Sequence, residues 1–145
     1  MRIRTIKPEF WTNEKLSDVS ESAHMFAAAL LNYCDDEGYF NANTKLIKAA
    51  LYPIREPSVS IHGMLTELSN IGYLRIGDGD DGRKYGHVVA FCEHQKINRA
   101  SASKIKHLAK FTEHSLNNHG AITEDSLLEQ GTGNREQVSS PRGAR

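Results

Sequence analysis

Basic and hydrogen-bonding side chains are concentrated between residues 93 and 112, in the stretch EHQKINRASASKIKHLAKFT. This stretch has five lysines and arginines against one acidic residue, although the whole chain has 18 residues of each sign and a formal net charge of zero. Lys, Arg, Asn and Ser are side chains that bind phosphate oxygens. Because salt screens charges beyond about 8 Å, such a local patch matters more than the total charge. The stretch predicts a phosphate-binding surface, with a solvated linker as the alternative.

Acidic residues form two clusters that could hold metal ions. Asp78, Asp80 and Asp81 lie in a glycine-rich segment and are the carboxylates that a metal-dependent nuclease would use. A two-metal site needs rigid support, which this segment lacks. Residues 35–37, Asp-Asp-Glu, lack the further oxygen ligands of a calcium loop. They are predicted to form a turn in which the acidic side chains bond their own backbone. The sequence therefore predicts no metal site, and the nuclease is a weak alternative.

Thiol, imidazole and membrane chemistry have little support in the sequence. Cys34 and Cys92 lie 58 positions apart without a CxxC pair, so both are predicted to be buried thiols in a reducing compartment. None of the seven histidines has the spacing of a helical zinc site, and no cofactor is expected. The N-terminus is charged, and no apolar stretch of about 18 residues occurs. The sequence therefore predicts a cytoplasmic protein without catalytic or membrane-spanning segments.

Three segments have apolar residues at the spacing of an amphipathic helix. They are residues 20–34, 43–52 and 58–71. Ser20 or Ser22 is suited to cap the first, and Asn43 the second. These helices would position the side chains that could contact a phosphate backbone.

The second and third predicted helices have different outward faces. In the second, Leu46 and Ile47 are predicted to face inward, and Lys45 and Lys48 outward. The outward face of the third is predicted to consist of small polar residues, with Glu67 as its only charge: Ser60, His62, Gly63, Thr66, Ser69 and Asn70. Short side chains allow close approach to a groove, and hydroxyls and amides can bond phosphates or base edges. Since no arginine is present for a bidentate guanine contact, strong direct readout of sequence is not predicted.

Two strand-like runs, residues 73–76 and 85–91, flank a polar loop at 77–84. Arg83 and Lys84 lie just behind the acidic tip of this loop and are its predicted phosphate contacts. Tyr39-Phe40 is long enough for a short strand that joins this hairpin in a small sheet. Three helices followed by a hairpin predict an α+β fold of the winged helix-turn-helix type, with the hairpin over residues 73–91 as its wing.

The N-terminal 19 residues begin as an alternation of basic and apolar side chains. This alternation predicts a short strand or extended arm, because Pro8 disfavours a helical Lys7. Phe10 and Trp11 are predicted to form a hydrophobic lid on the core.

Four segments of the chain are similar to the winged-helix N-terminal domain of bacteriophage replisome organisers, replication initiators of the O-like class. The segments are MRIRTIKPEFWTNEKL, LLNYCDDEGYFNANTKLIKAALYP, VSIHGMLTELSNIGYL and FCEHQKINRASASKI. They occur in the family's order and cover about residues 1–106. The resemblance implies a non-enzymatic protein that binds double-stranded DNA at a phage origin in the bacterial cytoplasm. It also implies recruitment of the host replicative helicase or its loader.

The chain departs from the family's pattern at two places. Where the family commonly has HQKINRPS, this sequence has Ala100 in place of the proline. The region after the domain is also shorter than in most members. Residues 107–119 are predicted to extend a helix whose apolar spacing runs from about Ser103 to Asn117, and residues 120–145 to form a flexible tail. Family members recruit their partners through this region, so this departure concerns helicase recruitment and not DNA binding.

The predicted DNA-binding residues come from the N-terminal arm, the second and third helices, the hairpin and the basic stretch. They are Arg2, Arg4, Lys7, Lys45, Lys48, Ser58, Ser60, His62, Thr66, Asn70, Arg83, Lys84, Lys96, Asn98, Arg99, Ser101, Ser103, Lys104 and Lys106. Two alternatives use the same fold: a transcriptional regulator, and a protein-interaction module that no longer binds DNA. The sequence leaves the oligomeric state open, a homodimer included.

Overall fold

The computed structural model describes residues 1–111, which form a mixed α and β structure of six helices and four strands. The helices are α1 (Glu9–Thr12), α2 (Glu14–Ser17), α3 (Glu21–Tyr33), α4 (Thr44–Leu51), α5 (Ile61–Asn70) and α6 (Phe91–His94). The strands are β1 (Tyr39–Asn41), β2 (Leu74–Gly79), β3 (Lys84–Val88) and β4 (Ala109–Lys110). The α+β class is therefore confirmed. The predicted helical residues 112–119 and the predicted tail at 120–145 lie outside the described residues.

The three longer helices begin where polar side chains cap them. Ser20, Asn43 and Ser60 each accept hydrogen bonds from backbone N–H groups in the first turn of α3, α4 and α5. α5 begins at Ile61, three residues later than the predicted start at Ser58, because Ser60 has an extended backbone and acts as its N-cap. The helices lie where the apolar spacing predicts them, and their capping residues set where they begin.

The core lies where α3, α4 and α5 pack together and against the sheet. Its fully buried large side chains are Phe26, Leu30, Ile47, Met64, Leu68, Leu74, Phe40 and Phe91, with Cys34 beside them. Leu46 was predicted to face inward together with Ile47, but its side chain is 51% exposed. Adjacent helical positions lie about 100° apart, so a narrow apolar face holds only one of the two.

The four strands form one antiparallel sheet in the order β1-β3-β2-β4. β1 pairs with β3 as the sequence predicts, with Tyr39 opposite His87. Gly86 lies at the centre of β3, where a Cβ atom would be only 2.2 Å from the ring of Phe40. The missing side chain leaves room for the ring of Phe40, the residue opposite Gly86 on β1.

The hairpin differs from its prediction at both of its ends. Residues 77–79 continue β2 instead of forming part of the loop, because they pair with β3 and β4. The loop is therefore limited to residues 80–83. Phe91 was predicted to end the second strand, but it begins the short helix α6 and is buried.

Residues after the hairpin return to cover the outer face of the sheet. The helix predicted from Ser103 is absent over 103–111, where Ala109 and Lys110 instead form β4 along β2. The neighbouring Gly77 leaves room for this return, since a Cβ there would lie 2.4 Å from the carbonyl oxygen of Lys110. Backbone pairing at this strand edge outweighs the amphipathic pattern of the segment.

A small aromatic layer forms under this returning segment. The Tyr39 ring stacks on His87 with centroids 4.1 Å apart, and the Arg75 guanidinium lies 4.5 Å from the centroid of Phe111. Burial, assisted by the charge of Arg75, lowers the pKa of His87 to about 4. Arg75 also donates a hydrogen bond to Nδ1 of His87, which is consistent with a neutral imidazole.

The N-terminal arm and the cysteines correct two further expectations. Residues 1–7 are extended, and only Phe10 acts as a lid on the core, because Trp11 is 57% exposed. Cys34 is buried as predicted, whereas Cys92 is exposed because α6 turns Phe91 inward at the neighbouring position. No helix within residues 1–111 is long and apolar enough to cross a membrane.

Candidate nucleic-acid interface

The outward face of α5 carries short polar side chains that are partly engaged in local hydrogen bonds. Ser60 caps the helix, and the Thr66 hydroxyl donates to the backbone carbonyl of His62 at 2.9 Å. The Ser58 hydroxyl pairs with that of Ser22 at 2.7 Å. Each of these hydroxyls keeps a further donor or acceptor function. His62 is exposed, and Asn70 is half-buried. This face can approach a groove closely and can still form a few polar contacts there.

Glu67, the single charged residue of α5, faces α3 and not solvent. Its carboxylate accepts hydrogen bonds from the backbone N–H and the hydroxyl of Ser20, at 2.8 and 2.9 Å. Ser20 is the N-cap of α3, where a negative charge is favourable for the helix dipole. Glu67 thereby fixes α5 to the start of α3. Its only signal in the sequence is an isolated acidic residue on a helix otherwise without formal charge.

The first turn of α4 lies beside the hairpin loop. The backbone N–H of Ala42 donates to the carbonyl of Lys84 at 2.9 Å, which brings the start of α4 next to the end of the loop. Lys45, in this first turn, is exposed and has no ion pair with any residue in 1–111. Lys48, one turn later, pairs with Glu56 at 3.1 Å. Lys45 is thus the cation that α4 makes available.

All three aspartates near the hairpin loop are engaged with neighbouring side chains. Asp78 pairs with Lys84 at 2.7 Å, and Asp80 pairs with Lys110 at 3.0 Å. The hydroxyl of Tyr85 donates to Asp81, which lowers the pKa of that carboxyl group. Both ion pairs are exposed, so they can exchange for a phosphate at little cost. Within residues 1–111, no group of three or more histidine, cysteine, aspartate or glutamate residues is placed so that it could hold a metal ion.

Arg83 is the loop cation that forms no ion pair within residues 1–111, although its charge helps to lower the pKa of the neighbouring Asp81. Its side chain is exposed, and its backbone N–H donates to Asp81 at 3.0 Å, which fixes the conformation of the loop. No carboxylate within residues 1–111 forms an ion pair with it. The predicted basic part of the loop is therefore present: Arg83 is exposed and without an ion pair in residues 1–111, and Lys84 is in an exposed pair with Asp78.

A buried carboxylate, Asp36, holds the N-terminal arm in place. Its two oxygens pair with Arg2 at 2.8 Å and with Arg4 at 3.1 Å. The Arg4 side chain is only 3% exposed, since it also donates to the carbonyls of Leu31 and Cys34. Arg4 is therefore not available to DNA, contrary to the prediction. Arg2 stays half-exposed but is paired.

The same carboxylate anchors the basic stretch. The backbone N–H of Ser101 donates to Asp36 at 2.9 Å, and this bond and the two arginines lower the pKa of the carboxyl group. Sequence reasoning placed Asp36 in a local turn and missed this role. The nearest indication in the sequence is the pair Arg2 and Arg4, two arginines at alternate positions of the arm.

The two other acidic residues of the turn also bind the basic stretch. Asp35 accepts backbone N–H bonds from Glu37 and Tyr39, as the turn prediction implies, and it also accepts the hydroxyl of Ser103. Glu37 accepts the Ser103 backbone N–H at 2.7 Å and pairs with Lys106 at 3.3 Å. Ser103 is buried and is therefore another predicted contact that DNA cannot reach.

Four residues of the basic stretch stay exposed and have no ion pair within residues 1–111. They are Lys96, Asn98, Arg99 and Lys104, which we call the flank surface. Arg99 has a backbone φ of 58°, a left-handed conformation that is uncommon for a residue other than glycine. Ser101 is exposed too, although its N–H is used by Asp36. Lys7 is half-buried at the edge of a cavity.

The sheet separates the flank surface from a second group of residues, which we call the hairpin surface. The hairpin surface consists of Lys45, Arg83 and Lys84, at the start of α4 and beside the hairpin loop. β3 runs from Lys84, beside the loop, to Val88, whose N–H donates to Gly38 next to the acidic turn. This length of strand corresponds to about 13 Å. The exposed cations among the predicted DNA-binding residues therefore fall into two regions at opposite ends of β3.

Comparisons of this chain with protein-family models, with curated proteins and with solved structures found no match.

Proposed function

We propose that residues 1–111 are a winged-helix domain that binds double-stranded DNA through the hairpin surface. The arrangement of the elements carries this proposal. α5 packs beside α4 and against the β2–β3 hairpin, and β1 pairs with β3 on the edge away from β2. This connectivity is compatible with a winged helix. α5 would lie in the major groove as the recognition helix, and the hairpin would be the wing.

The charges of the hairpin surface support contact with phosphates. Lys45 and Arg83 have no ion pair within residues 1–111, and the exposed Asp78–Lys84 pair can open. Hydrogen bonds and ion pairs to phosphate fix the position of a protein on a duplex without reading sequence. Since α5 has no Lys or Arg, specificity would come from close approach and DNA shape more than from bidentate base contacts.

The role that fits the domain best is phage replication initiation, as the sequence resemblance implies. In this role the domain binds origin DNA, and the host replicative helicase or its loader is the further partner. The protein acts without catalysis, in the bacterial cytoplasm. A transcriptional regulator would use the same DNA surface. Recovering genomic fragments bound to the protein separates the two: repeated sites near or inside its own gene, together with helicase recruitment, favour initiation.

DNA binding itself is tested by fluorescence anisotropy with a labelled duplex of about two helical turns. Three phosphate contacts correspond to a slope of about −3 for log K against log salt concentration. We expect measurable binding at low salt and such a slope. A flat salt response, or no binding at low salt, would instead favour a protein-interaction module that has lost DNA binding.

A further inference from the structure

A cavity of about 290 Å³ opens between the N-terminal arm and the body of the fold. Leu16, Leu31, Ile71 and Phe91 are among the apolar residues that line it. Two hydrogen bonds close one side. The backbone N–H of Thr5 donates to the Gln95 side-chain oxygen at 3.0 Å, and the Gln95 side-chain amide donates to the Thr5 carbonyl at 2.8 Å. Cavities of about this size with mostly apolar linings are typical binding sites. This cavity has no part in the proposed DNA interface.

The opening of the cavity is basic. Lys7, Lys15 and His94 line it, against a single acidic residue, Glu9. Neither lysine forms an ion pair within the described part of the chain. An occupant that complements this site would combine apolar side chains for the interior with carboxylates for the opening.

The chain itself contains a segment with this composition. Residues 113–129 include four acidic residues and no Lys or Arg. Within them, the sequence AITEDSLLE at 121–129 places Ile122, Leu127 and Leu128 among Glu124, Asp125 and Glu129. We propose that residues 121–129 bind in the cavity of the same molecule, with their leucines inside and their carboxylates toward Lys7 and Lys15.

The length of the connection allows this contact. Eleven residues separate Phe111, on the outer face of the sheet, from Ile122. They can span at most about 36–40 Å, and a domain of this size has a diameter of about 35 Å. The local concentration of a tethered segment is also high, so a weak contact is sufficient for occupancy.

The site lies beside α6 and the N-terminal arm, at the same end of β3 as the flank surface. Docking therefore leaves Lys45 and Arg83 uncovered. This inference does not depend on DNA binding, and it can be tested without DNA.

The test uses a spin label on the exposed thiol of Cys92 in the full chain, with NMR of backbone amides. Cys34 does not compete for the label, because it is buried and burial raises its pKa to about 12. Cys92 lies between the cavity residues Phe91 and His94. We expect the amide signals of residues 121–129 to lose more than half of their intensity, and those of residues 136–145 to change little.

Four variants, one of them a control, make the result specific. Leu127→Asp with Leu128→Asp should restore the signals of residues 121–129, whereas the control Val138→Asp should not. Lys7→Glu with Lys15→Glu should also restore the signals of residues 121–129. Adding Glu124→Lys and Asp125→Lys to that variant should bring the signal loss back, because the opposite charges then face each other again. The spectrum of residues 1–111 checks that each variant is folded.

Two outcomes would overturn the proposal. One is signal loss at residues 121–129 that is no larger than at residues 136–145, or that persists in the leucine variant. The other is signal loss transferred between molecules when spin-labelled and isotope-labelled chains are mixed, because the occupant would then be a second copy.

Discussion

One buried side chain, Asp36, determines how the basic ends of the domain are arranged. Its two oxygens accept from Arg2, Arg4 and Ser101, which are all more than 25 residues away in the sequence. Arg4 also donates to the carbonyls of Leu31 and Cys34, which makes five such long-range bonds. An arginine that sequence reasoning assigns to DNA is thereby used to join the N-terminal arm to α3. The sequence did not distinguish an arginine that stabilises the fold from one that binds phosphate, since both are basic residues of the predicted arm.

Replacing Asp36 with Asn should destabilise the fold by about 3 kcal/mol, because it leaves Arg4 buried without a counter-charge. Urea denaturation measures this change. Asp80→Asn is the matched control, since it removes an exposed pair with Lys110 and should cost about 0–1 kcal/mol. Equal losses in the two variants would contradict the role given to Asp36.

The stabilisation by Asp36 should also depend on pH. Its folded-state pKa is lowered below the ordinary value of 3.8, first by the Ser101 N–H and then by the arginines. The stabilisation is therefore fully present above the ordinary value and is lost as the pH falls through the folded-state pKa. We expect the difference between wild type and Asp36→Asn in urea to be large near about pH 6 and to shrink on acidification. A pH-independent difference would argue against a charge effect.

At the scale of elements, apolar spacing predicted α3, α4 and α5, because their packing repeats every helical turn and the caps are local. The prediction was wrong for 103–111, whose apolar residues are also spaced for a helix. That segment is held by contacts with residues distant in sequence, at Glu37, Gly77 and Gly79. The apolar spacing of this segment carries no information on the edge of β2, because that edge exists only once the hairpin has formed.

The aromatic layer under this segment makes a prediction about His87. Phe111→Ala should uncover the imidazole and raise its pKa from about 4 toward the ordinary value of 6.5, because burial is the main cause of the lowered pKa. An NMR titration of the imidazole measures it. Leu108→Ala is the control, since Leu108 lies on the same segment and is exposed.

The same variant should alter stability on acidification. A histidine whose folded-state pKa is lowered costs stability as the pH falls from 6.5 toward 4, because the unfolded chain binds the proton first. The loss of stability over this range should be smaller in Phe111→Ala than in wild type. An unchanged pKa in the variant would show that Phe111 does not cover His87.

For the whole molecule, a net charge of zero conceals two separate cationic regions. Arg2 and Arg4 of the N-terminal arm and Lys106 of the basic stretch are paired with the acidic turn, whereas the cations of the flank surface stay exposed. The hairpin surface lies at the other end of β3, on the side of the hairpin loop. The sequence identified both groups of residues but gave no information on their separation, which follows from the register of the sheet.

The comparison of these two surfaces is the most direct test of the DNA-binding proposal. Lys45→Ala with Arg83→Ala, and Lys96→Ala with Lys104→Ala, each remove two exposed lysine or arginine charges that have no ion pair in residues 1–111. Duplex binding is measured by anisotropy over a range of salt concentrations. We predict that the first variant weakens binding at least tenfold and makes the salt slope less steep by about 2, while the second leaves both almost unchanged. The opposite pattern, with the loss in Lys96→Ala/Lys104→Ala, would contradict an interface built on α4, α5 and the hairpin.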